Sequence, residues 1–200
     1  MAKRLIVGIS GASGVIYGIR LLEALARDPE IETHLVMTGV GRATILEETD
    51  YTVRQVEALA DVVYSPGNVG AAIASGSFET IGMIVAPCSI KSLSAIAYSH
   101  TDDLLSRAAD VQLKEGRPLL LMVRETPLHA GHLRLMLQAS ENGAIIMPPV
   151  PAFYNRPQTI DELVQTTVGR ALARIGIRNT LYDQWQGMTR QGRGEGDAVE

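Results

Sequence analysis

The chain has 200 residues, 46% of them hydrophobic and 20% charged, with a formal net charge of −4. That length makes one ordinary globular domain, able to bury about 70% of the surface its unfolded form exposes without a staple, and the composition excludes a disordered chain. The acidic balance argues against a general nucleic-acid or membrane-surface binder. The single cysteine, Cys88, excludes an internal disulfide framework and a cysteine-based zinc site, as expected of a reducing, cytoplasmic setting.

In chain order, residues 3–9 predict an apolar strand. Its apolar run is too short for a signal peptide or a membrane span before Ser10-Gly11-Ala12-Ser13-Gly14 breaks it. Residues 14–27 predict a helix with Ile16, Ile19, Leu22 and Leu25 on one face. A strand over 32–37 follows, then a helix over 39–48 that ends in the acidic Glu47-Glu48-Thr49-Asp50, and a short helix over 53–60. Residues 71–76 are a small-residue segment, and 80–86 a strand stopped by Pro87. Residues 89–97 and 102–114 read as helices, and 118–123 as a very apolar strand. Pro127 suits the first turn of a helix that runs to Glu141 and is capped by Gly143. A strand over 144–147 ends in Pro148-Pro149, and 160–175 is helical. We expect one domain over 1–186 and a disordered, glycine-rich tail over 187–200.

Strands that are apolar throughout are buried on both faces. The pattern therefore predicts an α/β fold, a Rossmann-like or flavodoxin-like three-layer sandwich with a mainly parallel sheet. Such sheets bind ligands beyond the carboxyl ends of their strands. There the sequence places Ser10-Gly11-Ala12-Ser13-Gly14, Thr38-Gly39, Pro87-Cys88-Ser89-Ile90-Lys91-Ser92, Arg124-Glu125-Thr126-Pro127 and the stretch from Pro148 to Tyr154.

The first of these loops opens a helix, whose free N–H groups and dipole suit a phosphate. It is not a G-x-G-x-x-G fingerprint, because Ser10 takes the middle glycine's place, and Val15-Ile16 rules out a P-loop. The second strand ends in Met37-Thr38, with no carboxylate for an adenosine ribose, which disfavours a dinucleotide. A mononucleotide such as FMN fits better, and a plain strand-to-helix turn is the bland alternative. Arg124-Glu125 reads either as a surface ion pair or as a phosphate-gripping arginine beside a proton-transfer carboxylate. Arg107 and Lys114 share a face of one helix that is otherwise buried, and two cations there ask for an anionic partner. Cys88 reads more naturally as buried filler than as an acid, and His129 and His132 lack a carboxylate at metal-binding spacing. Trp185 reads as an anchor for the tail or a pocket wall.

The segments S-G-A-S-G-x-x-Y-G, E-T-D, P-C-S-x-K-S-L-S, R-A-A-D-V-x-L-K-E-x-R-P-L, R-E-T-P-L and P-P-x-P-A-F-Y-x-R-P-Q closely resemble the flavin prenyltransferases. These are the UbiX-type proteins, long described as subunits of aromatic-acid decarboxylases. The resemblance runs from about Lys3 to Gly187. It implies a dodecamer that binds FMN and moves a dimethylallyl group from dimethylallyl monophosphate to N5 and C6 of reduced FMN, without a metal. The product, prenylated FMN, serves UbiD-type decarboxylases.

Carried onto this sequence, the resemblance implies FMN contacts at Gly11, Ala12, Ser13, Thr38, Ser89, Ile90, Lys91, Ser92 and Arg124. It implies prenyl-phosphate contacts at Arg107, Lys114, Glu125, Tyr154, Arg170 and Trp185. Catalytic roles would fall to Glu125, Glu48, Ser13, Arg107 and Lys114. Thr38 stands where many members carry serine but keeps the hydroxyl, and Lys91 and Ser92 stand at positions where members vary. Two alternatives stay open: an FMN-dependent decarboxylase of the same superfamily, and a non-catalytic decarboxylase subunit.

Overall fold

The computed structural model describes residues 2–185 and Gly187. The tail expected over 187–200 lies outside the described residues apart from Gly187. The elements run β1 (Lys3–Ile9), α1 (Ile16–Leu25), β2 (Ile31–Met37), α2 (Gly39–Glu48), α3 (Val53–Glu57), β3 (Val62–Tyr64), β4 (Gly82–Cys88), α4 (Ile90–Ala97), α5 (Leu104–Lys114), β5 (Leu119–Val123), α6 (Ala130–Glu141), β6 (Ile145–Ile146) and α7 (Ile160–Arg174). One 3₁₀ turn, Ala72–Ala74, lies between β3 and β4.

Every strand pairing is parallel, and the sheet order is β3-β2-β1-β4-β5-β6. That is the Rossmann order and not the flavodoxin one. The chain winds outward from β1 in one direction and from β4 in the other, so the topological switch point lies between these two central strands. Alternate residues of each strand enter separate cores. Leu5, Val7 and Ile9 pack with Ile19 and Leu22 of α1 and Val168 and Leu172 of α7. Ile6, Met83, Val85 and Leu121 pack with Leu93 of α4 and Leu104 and Ala108 of α5. This two-sided burial is why the strands carry no polar alternation.

The structure corrects several predicted boundaries. β4 does not stop before Pro87 but continues to Cys88. Its register against β5 shifts between Val85 and Cys88, so the proline's missing N–H falls where the ladder is already broken. The sixth helix starts at Ala130 and not at Pro127, because the His129 ring accepts the Gly131 N–H at 3.0 Å and caps it there. The helix predicted over 53–60 is shorter, and β3 was not predicted at all. Three residues are too few for a periodic signal. β3 is anchored instead by Tyr64, whose hydroxyl lies 3.0 Å from Nδ1 of buried His34 in β2. Burial holds the His34 imidazole below its ordinary pKa.

Candidate active site

Most of the predicted site residues meet at the carboxyl edge of the sheet. Thr38 follows β2 and caps α2, its hydroxyl accepting the Gly41 N–H at 3.0 Å. Ser89 follows β4 and caps α4, accepting the Ser92 N–H at 3.2 Å; its own hydroxyl donates to that of Ser92 at the same distance. Ile90 and Lys91 form the first turn of that helix. Arg124 follows β5 and is tied back to β4 by its N–H on the Cys88 carbonyl at 3.0 Å. Glu125 is next to it, with Oε1 accepting the Thr126 N–H at 3.0 Å. Both side chains are exposed, and among the described residues they do not form the ion pair weighed from the sequence.

The loop Gly11, Ala12, Ser13 lies between β1 and α1, and one residue that the sequence reading left out fixes it. Ser10 is fully buried. Its hydroxyl donates to the Pro87 carbonyl at 2.9 Å and accepts the Ser89 N–H at 2.7 Å. It therefore laces the β1 loop to the β4 loop across the switch point. The only signal in the sequence was its position in place of a glycine.

Glu48 reaches this edge from far along the chain. From the last residue of α2, its Oε2 accepts the Gly14 N–H at 2.8 Å and the Val15 N–H at 3.4 Å. The loop's helical N–H groups, read as a phosphate cradle, already hold a carboxylate. No acidic residue in the first turn of α1 does this locally.

Cys88 lies directly beneath the edge, fully buried, with its thiol pushed up to about 12 by burial alone. Such a thiol stays protonated at neutral pH, which counts against it as a nucleophile. His129 spends Nδ1 on capping its own helix, and its ring lies tilted at 34° against that of His132 with centroids 3.6 Å apart.

The remaining candidates form two other groups. Tyr154 and Trp185 meet edge to face at 5.4 Å, and the Arg170 guanidinium lies 5.9 Å from the Tyr182 ring. Arg170 is ten residues into α7, about 15 Å down the helix from its start. Arg107 and Lys114 belong to α5, across the sheet. Lys114 ends that helix, five residues before β5 begins, and so lies at the amino edge of the sheet, opposite Glu125. Each cation has an acidic neighbour on or beside its own helix. Arg107 is 3.4 Å from Asp110, and Lys114 is 2.5 Å from Glu115. The Lys114 ammonium in turn holds the Glu115 carboxyl below its usual range. A cleft of about 330 Å³ between the ends of α1 and α7, lined by Leu25, Leu172 and Ile177, also lies at the amino edge, away from these groups.

The comparisons agree with this geometry. The Flavoprotein family model matches residues 1–172. The flavin prenyltransferase UbiX of Escherichia coli K12 is 60% identical over 187 residues, covering 92% of this chain and 99% of that protein. A dodecameric FMN-dependent UbiX-like decarboxylase from Escherichia coli O157:H7 superposes with a TM-score of 0.90 at 49% identity, over 92% of this chain and 100% of that one. A UbiX protein (PadA1) solved with FMN and dimethylallyl pyrophosphate gives 0.92 at 46% identity, over 94% and 100%. Similarity of this extent across nearly the whole length shows that the chain belongs to the flavin prenyltransferase family.

Proposed function

We propose that this chain joins the dimethylallyl group of dimethylallyl monophosphate to N5 and C6 of reduced FMN, releasing phosphate and making prenylated FMN for a UbiD-type decarboxylase. The observation that carries this reading is the convergence of Ser13, Thr38, Ser89, Ser92, Arg124 and Glu125 on one edge, where buried Ser10 ties the β1 loop to the β4 loop. These groups suit FMN. Hydroxyls and a helix N-terminus at Ser89–Ser92, with the Arg124 guanidinium, match a phosphate monoester. The flavin, when bound, supplies the nucleophilic nitrogen and carbon.

The protein's part is binding, charge and proton traffic. Breaking the allylic C–O bond leaves charge on phosphate. Arginine and lysine side chains stabilise that charge in place of a metal. Glu125 gives a proton to the leaving phosphate and takes one back when C6 regains aromaticity. Tyr154 and Trp185 offer an apolar wall that keeps water from the allylic carbon.

The separation of Lys114 and Arg170 from Glu125 within one chain supports a site completed by other copies. We infer a homo-oligomer, a dodecamer like its relative, in which α5 of one copy faces the carboxyl edge of another. Residues 1–186 act as one unit in it. Among the described residues no helix is long and apolar enough to cross a membrane, and we infer a cytoplasmic enzyme without nucleic-acid partners.

The test is anaerobic incubation with reduced FMN and the monophosphate or the diphosphate donor, in EDTA, followed by mass spectrometry of the flavin. A flavin heavier by one isoprenyl unit, formed from the monophosphate despite EDTA, is expected. Unchanged flavin would point to a non-catalytic subunit, and a product that needs added magnesium would reject the metal-free reading.

A further inference from the structure

The chain returns from β3 at the carboxyl edge to β4 at the amino edge through residues 65–81, a strap with one 3₁₀ turn and no α-helix of its own. α5 lies alongside and holds the strap at both ends. The Pro66 carbonyl accepts the Leu104 N–H at 2.8 Å where α5 begins, and the Thr80 hydroxyl donates to Gln112 Oε1 at 2.7 Å near its last turn. Between these ties, the Arg117 guanidinium forks onto two strap carbonyls, Gly76 at 2.7 Å and Phe78 at 2.9 Å. The backbone that carries Arg117 is itself fixed. α5 closes with Gly116 left-handed at φ +64°, the Gly116 N–H on the Leu113 carbonyl at 3.0 Å and the Arg117 N–H on the Gln112 carbonyl at 2.9 Å.

What this clamp presents to α5 is Gly76. A methyl group there would overlap the Glu115 carboxylate and come within 2.8 Å of the Lys114 ammonium. The Lys114–Glu115 pair therefore rests on bare strap backbone, at the residue whose carbonyl Arg117 holds. A lysine ammonium is a point charge on a flexible four-carbon stem. Half-exposed as it is here, it stands in one place only where its surroundings support it. We propose that Arg117 is a positioning residue, which acts through the strap at Gly76 to set where the Lys114 ammonium stands and does not touch substrate itself. This rests on the reading of Lys114 as a cation for the leaving phosphate, and adds to it what fixes that charge in advance. Arginine suits the task because its planar fork meets two carbonyls at once, whereas a lysine's single nitrogen lacks that geometry.

The test is a double-mutant cycle on the full-length protein, read as the single-turnover rate with reduced FMN and dimethylallyl monophosphate and followed by flavin mass. Folding and assembly of each variant are checked by circular dichroism and elution volume, and FMN affinity by fluorescence titration. Arg117→Ala should keep FMN affinity within a few-fold and slow turnover about ten- to a hundredfold, the scale of a misplaced catalytic group. Arg117→Lys should lose less. In a Lys114→Ala background, Arg117→Ala should slow the residual reaction no further, because the group it positions is gone. Gly76→Ala takes the place of Arg117→Ala in the same cycle should the latter not fold. Its backbone is not left-handed, and its methyl meets first the movable ends of Glu115 and Lys114. Equal slowing in both backgrounds, or none in the wild type, overturns the positioning role. Turnover of Lys114→Ala within a few-fold of wild type overturns instead the reading of Lys114 on which that role rests.

Discussion

Glu125 carries its carboxylate on the residue after Arg124, exposed, with one oxygen held by the Thr126 N–H. That bond orients the group without consuming it, since the second oxygen has no partner among the described residues. A group so placed can protonate a leaving phosphate and later accept a proton from carbon. Glu125→Gln keeps size and hydrogen bonding but cannot shuttle a proton. It should bind FMN as the wild type does yet lose about 10²-fold or more in turnover, the usual scale for a general acid–base. Turnover within a few-fold of wild type in single-turnover assays would assign the proton transfer to the substrate phosphate. The place of Glu125 at the sheet's edge was legible from the sequence because it lies two residues beyond an unmistakable strand. Ser10 and the reach of Glu48 were not, because each works through a partner more than thirty residues away, and no local pattern encodes such a contact.

At the scale of elements, the position of α1 decides where its loop meets the site. Gly18 is the close point. A methyl there would run into the Ala86 carbonyl of β4 and lie 2.9 Å from the Ile9 side chain of β1. Alanine is the better helix former by about 1 kcal/mol. The collision with backbone outweighs that gain, because overpacking costs about 1–3 kcal/mol. Gly18→Ala should therefore lower stability by about 1–2 kcal/mol in urea unfolding and weaken FMN binding, since α1 must lift from the sheet. Gly39, the first residue of α2, meets nothing within 4 Å, so Gly39→Ala should leave the unfolding midpoint unchanged or raise it slightly. Equal midpoints for wild type and Gly18→Ala would mean that α1 docks with slack. The six strands and seven helices of the described residues divide by legibility for the same physical reason. Strands buried on both faces are read easily. β3, with three residues, and the start of α6, set by a histidine cap, have no periodic signature.

For the whole molecule, the candidate groups occupy separate surfaces: the carboxyl edge, the flank of α7, and α5 across the sheet. Sequence order could list these residues but could not show that one copy keeps Lys114 and Glu125 at opposite edges. If different copies supply them, two inactive variants should rescue each other. Glu125→Gln and Lys114→Ala, each nearly inactive alone, should regain activity when co-expressed, with about a quarter of sites intact in a random one-to-one mixture. Mixed oligomers confirmed by native mass spectrometry but lacking recovered activity would overturn a site shared between copies.

Sealing Cys88 has a further chemical meaning. Reduced flavin in air yields peroxide, and an allylic phosphate is an alkylating agent, so on the proposed reading the protein works beside two reagents that attack thiolates. Its only cysteine lies one residue below the reacting edge, yet it is fully buried and its thiol is held to about 12. Neither reagent meets a thiolate, since the nucleophilic form is suppressed by the same burial that blocks access. The catalyst is thereby protected at sulfur from its own reactants.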